Sequence, residues 1–484
     1  MKSNRSPQPF SRPLDRRSFI KGVLAAGTMA ALTPPAVFGA DQAAPRRIGP
    51  NDKVNLACVG IGNRGAEVVG ALNATGLANV IAVCDTELGA EHTKKTLERF
   101  PRASRFRDFR EMFDKLGNQI DAVSVATPDH SHFAIAILAM SLGKHVYVEK
   151  PLAHSFRQIE LLMAAEKKYK VACQMGNQGH SEANYFQFKA FVDAGVIKNV
   201  KKITAFMNNS RRWHGMKVTD YFPAETLPEG LDWDCWLATA KKHPFNAKYL
   251  NGEWRSWYDF GNGALGDWGA HIFDTAHEFL NLGLPTEVDP VLIEGYSPFI
   301  FPQASTLAFK FPARGKMPAL ELTWYDGQEN LPPLPENMGE SVTDSDIPPP
   351  SRGAAVPSGK KRPPGKVIYG EGLTFKGGSH GSTLKIVGQE EAKAMQSKLP
   401  TVPASPSNHF ANFLKAAKGE EQTRSNFAVA GPLCQAMAIG IIAQQVNAKV
   451  KFNLKTKRIT NHKAADQLLD GAPPRKEWEQ FYKL

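Results

Sequence analysis

Residues 53–65 read KVNLACVGIGNRG, a short apolar run that ends in a glycine-rich turn, and this stretch restricts the possible folds more than any other. Gly60, Gly62 and Gly65 stand at G-x-G-x-x-G spacing, and a helical pattern (Ala66, Val69, Leu72) follows directly. In a strand–turn–helix unit of this kind the first glycine permits the tight turn. The second lets backbone approach a pyrophosphate, the third lets helix pack on strand, and the helix N-terminus faces the anion. Alone, such a turn is weak evidence. A second apolar run, NVIAVCD, ends in Asp85, 25 residues after Gly60, near the spacing at which a carboxylate accepts hydrogen bonds from an adenosine ribose. The alternative role for Asp85 is to cap its own turn. A carboxylate there would repel a 2′-phosphate, and Thr86 follows with no neighbouring arginine, so NAD is expected ahead of NADP.

The same rhythm continues. Strand-like runs at 120–127 (IDAVSVAT), 144–151 (KHVYVEKP) and 171–177 (VACQMGN) alternate with helical patterns at about 132–142 and 155–168. Near-continuous apolar strands alternating with helices predict an α/β fold with a doubly wound parallel sheet covered on both faces. Ligands of such sheets bind at the carboxyl ends of the strands. TPDHSH (127–132) and EKP (149–151) are the loops expected there. The expected cofactor contacts are therefore Gly60, Gly62, Asn63, Arg64, Gly65, Asp85, Thr127, Pro128, His132, Glu149 and Lys150. Asp129 could instead cap the helix that follows.

From about residue 176 the pattern changes to longer, aromatic-rich segments, which predict a second, α+β domain over 176–484 after a first domain over 53–175. Nine prolines between residues 326 and 366 mark an extended insertion that can build little core. Strands are expected to resume over 366–377 and 382–388, and helices over 408–417 and 428–446.

At the other end, DRRSFIK (15–21) precedes the small and apolar run GVLAAGTMAAL and the exit Val37-Phe38-Gly39-Ala40. This resembles a twin-arginine export signal over 1–40, read by the machinery that moves folded cargo, with 41–52 as a linking arm. The apolar run is shorter than the ~20 residues needed to span a bilayer, and no later stretch is expected to span one. The expected product is a soluble, exported, periplasmic protein. The net charge of +12 is suggestive of nucleic acid, but Lys2, Arg5, Arg12, Arg16, Arg17 and Lys21 against Asp15 remove +5 with the leader, leaving +7 on the other 444 residues. The one basic cluster (Arg352, Lys360, Lys361, Arg362, Lys366) contains no aromatic residue to stack bases, so nucleic acid is excluded as a partner. Five scattered cysteines, without a CxxC pair, read as buried small hydrophobes.

The segment 261–283, GNGALGDWGAHIFDTAHEFLNLG, places Asp267, His271 and Asp274 at i, i+4 and i+7, on one face of a helix that would start near Asp267. One reading is a helix acid favoured by the dipole and a satisfied buried histidine. The other is a working group. HEFLN puts Asn281 where a zinc HExxH needs its second histidine, so no metal is expected.

GIGNRG, then Asp85, then EKP, then G-x-L-x-D-x-x-x-H-x-x-D over Gly263 to Asp274, in that order, resemble the glucose-fructose oxidoreductase, inositol dehydrogenase and rhizopine-catabolism family, written Gfo/Idh/MocA. The resemblance extends over most of 53–484. It implies an N-terminal Rossmann domain and a C-terminal α/β domain with an open, mostly antiparallel sheet, often an oligomer interface, so a homo-oligomer is expected. It implies Lys150, Asp267 and His271 as the catalytic group of an NAD(P)-dependent oxidoreductase acting on CH–OH groups of a sugar, polyol or glycoside. The sequence departs from the family at GNQGH (176–180), where many members carry an arginine, and in its long insertion; both leave the substrate open.

Residue chemistry agrees with that assignment. Oxidising a secondary alcohol requires a base for the hydroxyl proton while hydride leaves the carbon. His271, ordinarily near pKa ~6.5, suits the base; Asp267 would orient it, and Lys150 would stabilise developing alkoxide. Asn177, Gln178, His180, Trp213, His214 and Asp274 are weaker candidates for substrate contact, with His130, Arg212 and Trp254. An exported enzyme cannot exchange spent cofactor with a cytosolic pool. Three modes follow: an oxidoreductase that returns electrons to a second substrate, a redox-neutral glycosidase, lyase or epimerase, or a non-catalytic sensor. The arm near Arg46 to Asn51, or the insertion, is expected to cover a tightly held cofactor.

Overall fold

The computed structural model describes residues 46, 48–208, 217–250, 252–335 and 364–483. The leader, most of the proline-rich insertion, and Arg212, Trp213 and His214 lie outside the described residues.

Six strands form the first sheet: β1 (Val54–Val59), β2 (Ala78–Cys84), β3 (Ser104–Phe106), β4 (Ala122–Val125), β5 (His145–Val148) and β6 (Cys173–Met175). Their order is β3-β2-β1-β4-β5-β6 and every pairing is parallel. Helices α1 (Arg64–Ala74), α2 (Glu91–Arg99), α3 (Phe109–Leu116), α4 (His132–Ser141) and α5 (Phe156–Tyr169) connect them. The central strands β1, β4, β5 and β6 are largely apolar because helices cover both faces. The order reverses between β1 and β4, so a crevice opens at their carboxyl ends, where the glycine turn lies.

The second sheet has nine strands: β7 (Lys202–Met207), β8 (Glu287–Glu294), β9 (Ala304–Phe311), β10 (Leu320–Asp326), β11 (Gly365–Tyr369), β12 (Thr374–Gly378), β13 (Lys385–Ile386), β14 (Val450–Asn453) and β15 (Arg458–Ile459). The order is β13-β12-β11-β7-β10-β9-β8-β14-β15, antiparallel except for the parallel pair β7 and β10. The insertion links β10 to β11. Between β7 and β8 a block of aromatic residues (Trp236, Tyr249, Trp254, Trp257, Phe260) forms its own small core.

Helix 427–446 corrects the expectation that no later stretch could span a bilayer. It has 20 residues, is apolar enough by composition, and 78% of its apolar window is buried inside the protein. Its hydrophobicity serves packing between the two sheets. A Cβ at Gly431 would lie 2.3 Å from Met163 Sδ in α5, and one at Gly440 would lie 2.5 Å from Phe309 Cζ in β9, so both glycines permit close approach. Helix 409–417, distant in sequence from the first sheet, nevertheless adds Phe413 and Leu414 to the apolar layer of Val54, Leu56 and Val69. The five cysteines are buried and free, as expected.

The described residues of the arm lie away from the crevice. Arg46 Nη2 bonds Asp121 at 2.7 Å and the carbonyl of Lys53 at 2.9 Å, and Lys418 Nζ donates to the Pro50 carbonyl at 2.6 Å. Asp121 precedes β4, so the arm is tied to the amino ends of the strands, opposite the glycine turn.

Candidate active site

The glycine turn meets the steric demands of a dinucleotide cradle. Gly60 has φ +77° and a Cβ there would fall 2.6 Å from the Ala126 carbonyl oxygen, across the crevice; a Cβ on Gly65 would fall 2.1 Å from the Gly60 carbonyl oxygen. A Cβ at Gly62 would meet only a side chain, His92, at 2.0 Å. Asn63 (φ +45°) stands just before α1. Asp85, at the end of β2, accepts the Ile61 N–H at 3.0 Å on one carboxylate oxygen and the Glu87 N–H at 3.0 Å on the other. It therefore ties the glycine turn to β2 and caps its own turn. Each oxygen retains a lone pair that a ribose hydroxyl could use. The residues present thus fit the dinucleotide.

Arg64, at the first position of α1, places Nη2 3.1 Å from Glu149 Oε1 and Nη1 2.9 Å from Glu67. Gln178 also donates to Glu149, at 3.1 Å. The Glu149 carboxylate holds the Arg64 guanidinium charge well above its ordinary range. Arg64, Glu149 and Gln178 are thus one network beside the crevice. In the adjacent loop Thr127 accepts from Ser131 Oγ at 2.7 Å, and Pro128 precedes a short turn. The His132 ring lies between this loop and EKP, with Nδ1 2.9 Å from the Pro151 carbonyl and Nε2 2.8 Å from the Thr127 carbonyl, and one of these nitrogens donates. His130 lies between the carbonyls of Trp236, 2.7 Å from Nε2, and Phe260, 3.3 Å from Nδ1, and its single N–H donates to one of them. Asp129 does not cap its helix; it accepts from Asn262 N and Nδ2, each at 3.1 Å.

Lys150 and Asp267 meet across 117 residues. Lys150 Nζ forms an ion pair with Asp267 Oδ1 and donates to the Asp267 carbonyl at 2.9 Å. Asp267 does not begin a helix: it sits in a π-helical turn, Leu265–Gly269, that runs into Ala270–Ile272 and Asp274–Phe279. Arg255 Nη1 is a second cation, 3.5 Å from Asp267 Oδ1 and 3.5 Å from Asp129 Oδ1. Its guanidinium covers the ring of Trp254 at 4.2 Å, which removes that face as a sugar platform.

His271 follows one turn later and is 5% exposed. Asp267 does not orient it through Nδ1, which has no hydrogen-bond partner among the described residues. Its ring stacks instead on His380, 3.9 Å between centroids and 19° between planes. Burial, aided by His380 and Lys150, pushes the His271 imidazole well below 6.5. The ring is neutral at pH 7 and has a lone pair to accept a proton.

Asn177, His180 and Asp274 were expected to contact substrate; the structure satisfies them internally. Asn177 Nδ2 and His180 Nδ1 meet Asp274 Oδ1 at 2.7 and 2.8 Å, Ser425 Oγ donates to Asn177 Oδ1 at 2.6 Å, and His180 Nε2 lies 2.8 Å from Glu278. All three are at most 3% exposed. Burial alone would lower the His180 pKa, but Asp274 and Glu278 raise it to about 10. This cluster joins the turn after β6 to the helix that carries His271.

Sequence reasoning missed Arg255 and His380. The second leaves a faint signal, a histidine in the glycine–serine loop GGSHGS that ends β12. Arg255 leaves none, because only packing of the aromatic block brings it to Asp267.

Three buried imidazoles outside this pair lead to a pH prediction. Burial, the leading cause in each, lowers His130 and His409 to about 3 and His277 to about 4. The unfolded chain binds these protons near 6.5 and the folded chain does not, so their contribution is complete above pH 6.5 and declines as pH falls toward 4. The limit is about 1.4 kcal/mol per pH unit for each imidazole. His180 acts oppositely, its contribution being lost as pH rises through about 10. The urea midpoint should therefore fall between pH 6.5 and 4.5; a flat midpoint over that interval would contradict the assignment of these rings as neutral.

Comparison with known proteins finds two models of one oxidoreductase family over residues 54–298. A model described as "Oxidoreductase family, NAD-binding Rossmann fold" matches residues 54–177, and one described as "Oxidoreductase family, C-terminal alpha/beta domain" matches residues 183–298. The chain is 26% identical over 176 residues to an inositol 2-dehydrogenase of Salmonella typhimurium, covering 36% of this chain and 50% of that one. It is 25% identical over 239 residues to a glycosyl hydrolase family 109 protein of Streptomyces coelicolor, covering 43% and 50%. The chain thus spans about half the length of these curated relatives. Among solved structures, the WlbA dehydrogenase of Bordetella pertussis, in complex with NADH and UDP-GlcNAcA, superposes with TM-score 0.54 at 15% identity over 83% of this chain and 99% of that one, a likeness of fold.

Proposed function

We propose that this chain, whose residues 54–177 and 183–298 match models of the Gfo/Idh/MocA oxidoreductase family, oxidises a secondary hydroxyl of a sugar, polyol or glycoside, using NAD held in the Rossmann domain. The observation that carries this reading is the ion pair of Lys150 with Asp267 one helical turn from a neutral, buried His271, on the same edge as the glycine turn. When bound, NAD accepts the hydride that leaves the substrate carbon. Lys150 hydrogen-bonds the substrate oxygen and stabilises negative charge as it develops there. The His271 imidazole takes the hydroxyl proton, its neutral form being the base form. Asp267, which also meets Arg255, aims the Lys150 ammonium. Glu149 and Gln178 fix Arg64 at the mouth of the cradle.

Export by the twin-arginine route and periplasmic residence belong to the same reading, supported by the leader at residues 15–32. So does a homo-oligomer through the second sheet, which Val291, Leu292 and Tyr296, exposed on or just after β8, support. The relatives named as glycosyl hydrolases favour one second reading, a redox-neutral glycosidase that oxidises, eliminates and returns the hydride. Incubation of the purified protein with mixed sugars, polyols and glycosides separates the two. Keto-sugar supports net oxidation, released aglycone without net oxidation supports the second, and neither product with any of them sinks both.

An exported enzyme of this kind must also keep its cofactor. Retention for hours requires dissociation on the order of 10⁻⁴ s⁻¹; with association near ~10⁶ M⁻¹s⁻¹, Kd must be about 10⁻¹⁰ M, roughly −14 kcal/mol. Protein isolated from periplasm and dialysed extensively should therefore yield close to one NAD(H) per chain on denaturation. Recovery of NADP(H) alone would overturn the choice of cofactor, and an empty protein that works only with added NAD would overturn the closed-cofactor reading.

A further inference from the structure

His271 is buried with an unpartnered Nδ1 among the described residues, so no carboxylate or carbonyl fixes that edge of the ring. Its face is fixed instead, by the parallel ring of His380 at 3.9 Å. His380 is itself held from several sides. Its Nδ1 lies 2.9 Å from Ser379 Oγ, and the edge of Trp268 meets it at 5.7 Å and 84°. Asn184 Nδ2, in helix 183–193, donates to its carbonyl at 3.0 Å. The turn after β6 presses so close that a Cβ on Gly179 would lie 2.5 Å from the His380 carbonyl carbon. His380 also has φ +49°, a left-handed conformation that glycine would adopt at lower cost. The backbone at this place thus favours glycine, and the ring is what histidine adds.

We propose that His380 is a positioning residue for His271: its ring fixes the plane of the base by stacking, in place of the hydrogen bond that Nδ1 lacks, and keeps water from it. This rests on the reading of His271 as the base. The charged groups facing the two rings are Lys150 and Arg64, which disfavour protonation of both, Asp267, which favours it in both, and Glu149, which favours it in His380. Burial dominates, lowering His380 to about 4 and His271 well below its ordinary value, so near neutral pH the rings stack without charge repulsion. The loop comes from the second domain and reaches the base only when β12 and the turn after β6 are docked. The stack therefore links substrate-domain packing to the proton-accepting group.

Two variants test this. His380→Gly suits the backbone and removes the ring; His380→Phe keeps a flat ring and removes the nitrogens. The first readout is the nitrogen NMR titration of His271, assigned by the signals lost in His271→Asn, and it needs no substrate. The second is kcat and KM with whichever sugar or polyol the wild type turns over. H380G should raise the His271 titration point by at least about one pH unit as water reaches the ring, and lower kcat about ten-fold through misorientation, with KM within about two-fold. H380F should keep the low titration point and restore kcat to within about three-fold of wild type. A wild-type titration and kcat in H380G, or an H380F as impaired as H380G, overturns the proposal. If the wild type oxidises no sugar or polyol, the oxidoreductase reading fails on its own; the titration still decides the stack, a shift in H380G alone supporting it and an unshifted point removing it.

Discussion

Replacing Lys150 by alanine should slow hydride transfer at least about 10²-fold while folding and bound dinucleotide persist. The expectation rests on where the ammonium lies: Lys150 Nζ is bonded to both the carboxylate and the carbonyl of Asp267, beside His271. Without it, the ammonium that meets charge developing on the substrate oxygen is lost. The fold should survive because Asp267 is not left without a counter-charge: Arg255 stands 3.5 Å away. Breaking a fully buried pair costs about 3–5 kcal/mol. Here the Lys150 and Asp267 side chains are 13% and 10% exposed, so water and Arg255 together should hold the loss near the lower end. His271→Ala should give a similar kinetic loss with the same retention. Single-turnover reduction of bound cofactor, followed by absorbance, checks both. Wild-type rates in the two variants would make the lysine and histidine purely structural.

Gly65→Ala should abolish dinucleotide binding and remove about 3 kcal/mol of stability, the upper range for forced overpacking. The added Cβ would lie 2.1 Å from the Gly60 carbonyl oxygen and 2.7 Å from its carbon. Both are backbone atoms, so no side-chain rotation relieves the clash; the turn itself or α1 must move. Gly283 is the control. It has φ +62° and nothing within 4 Å of its Cβ position, so Gly283→Ala should cost only about 1–2 kcal/mol of left-handed backbone strain and leave the cofactor in place. Urea midpoints and nucleotide released on denaturation distinguish the two. A G65A protein with the midpoint of G283A and a full complement of cofactor would show that this glycine does not set the packing of turn and helix.

Much of the first domain was legible because its signals are local. A parallel sheet covered on both faces requires apolar runs, so β1, β4, β5 and β6 stand out against the helices between them. β3 did not, since it is three residues long and two of them are exposed. The span argument failed at helix 427–446 because apolar length is the same signal whether a helix is wrapped by lipid or, as here, by α5, β8 and β9. The face shared by Asp267, His271 and Asp274 was read from helical periodicity, but the π-helical turn at Leu265–Gly269 alters that spacing. Asp267 meets Lys150, His271 meets His380, and Asp274 turns inward to Asn177 and His180.

The sequence alone determined the glycine turn, the alternation of strand and helix and the placing of EKP after a strand, because each depends on neighbours within one or two turns of chain; the candidacy of Lys150, Asp267 and His271 came with the family resemblance of the motifs that hold them. Tertiary structure decided which candidates work together. Lys150 and Asp267 are 117 residues apart and Asn177 and Asp274 are 97 apart, and His380 and Arg255 reach the site only through the docking of distant segments. A side chain's hydrogen bonds go to whatever polar group packing brings within about 3 Å, and burial then sets the proton affinity of what it encloses. No local pattern encodes either quantity. For that reason the sequence could nominate His132 and His180 for ligand contact, and only the packed structure could assign the first to bracing a loop and the second to an internal ion pair.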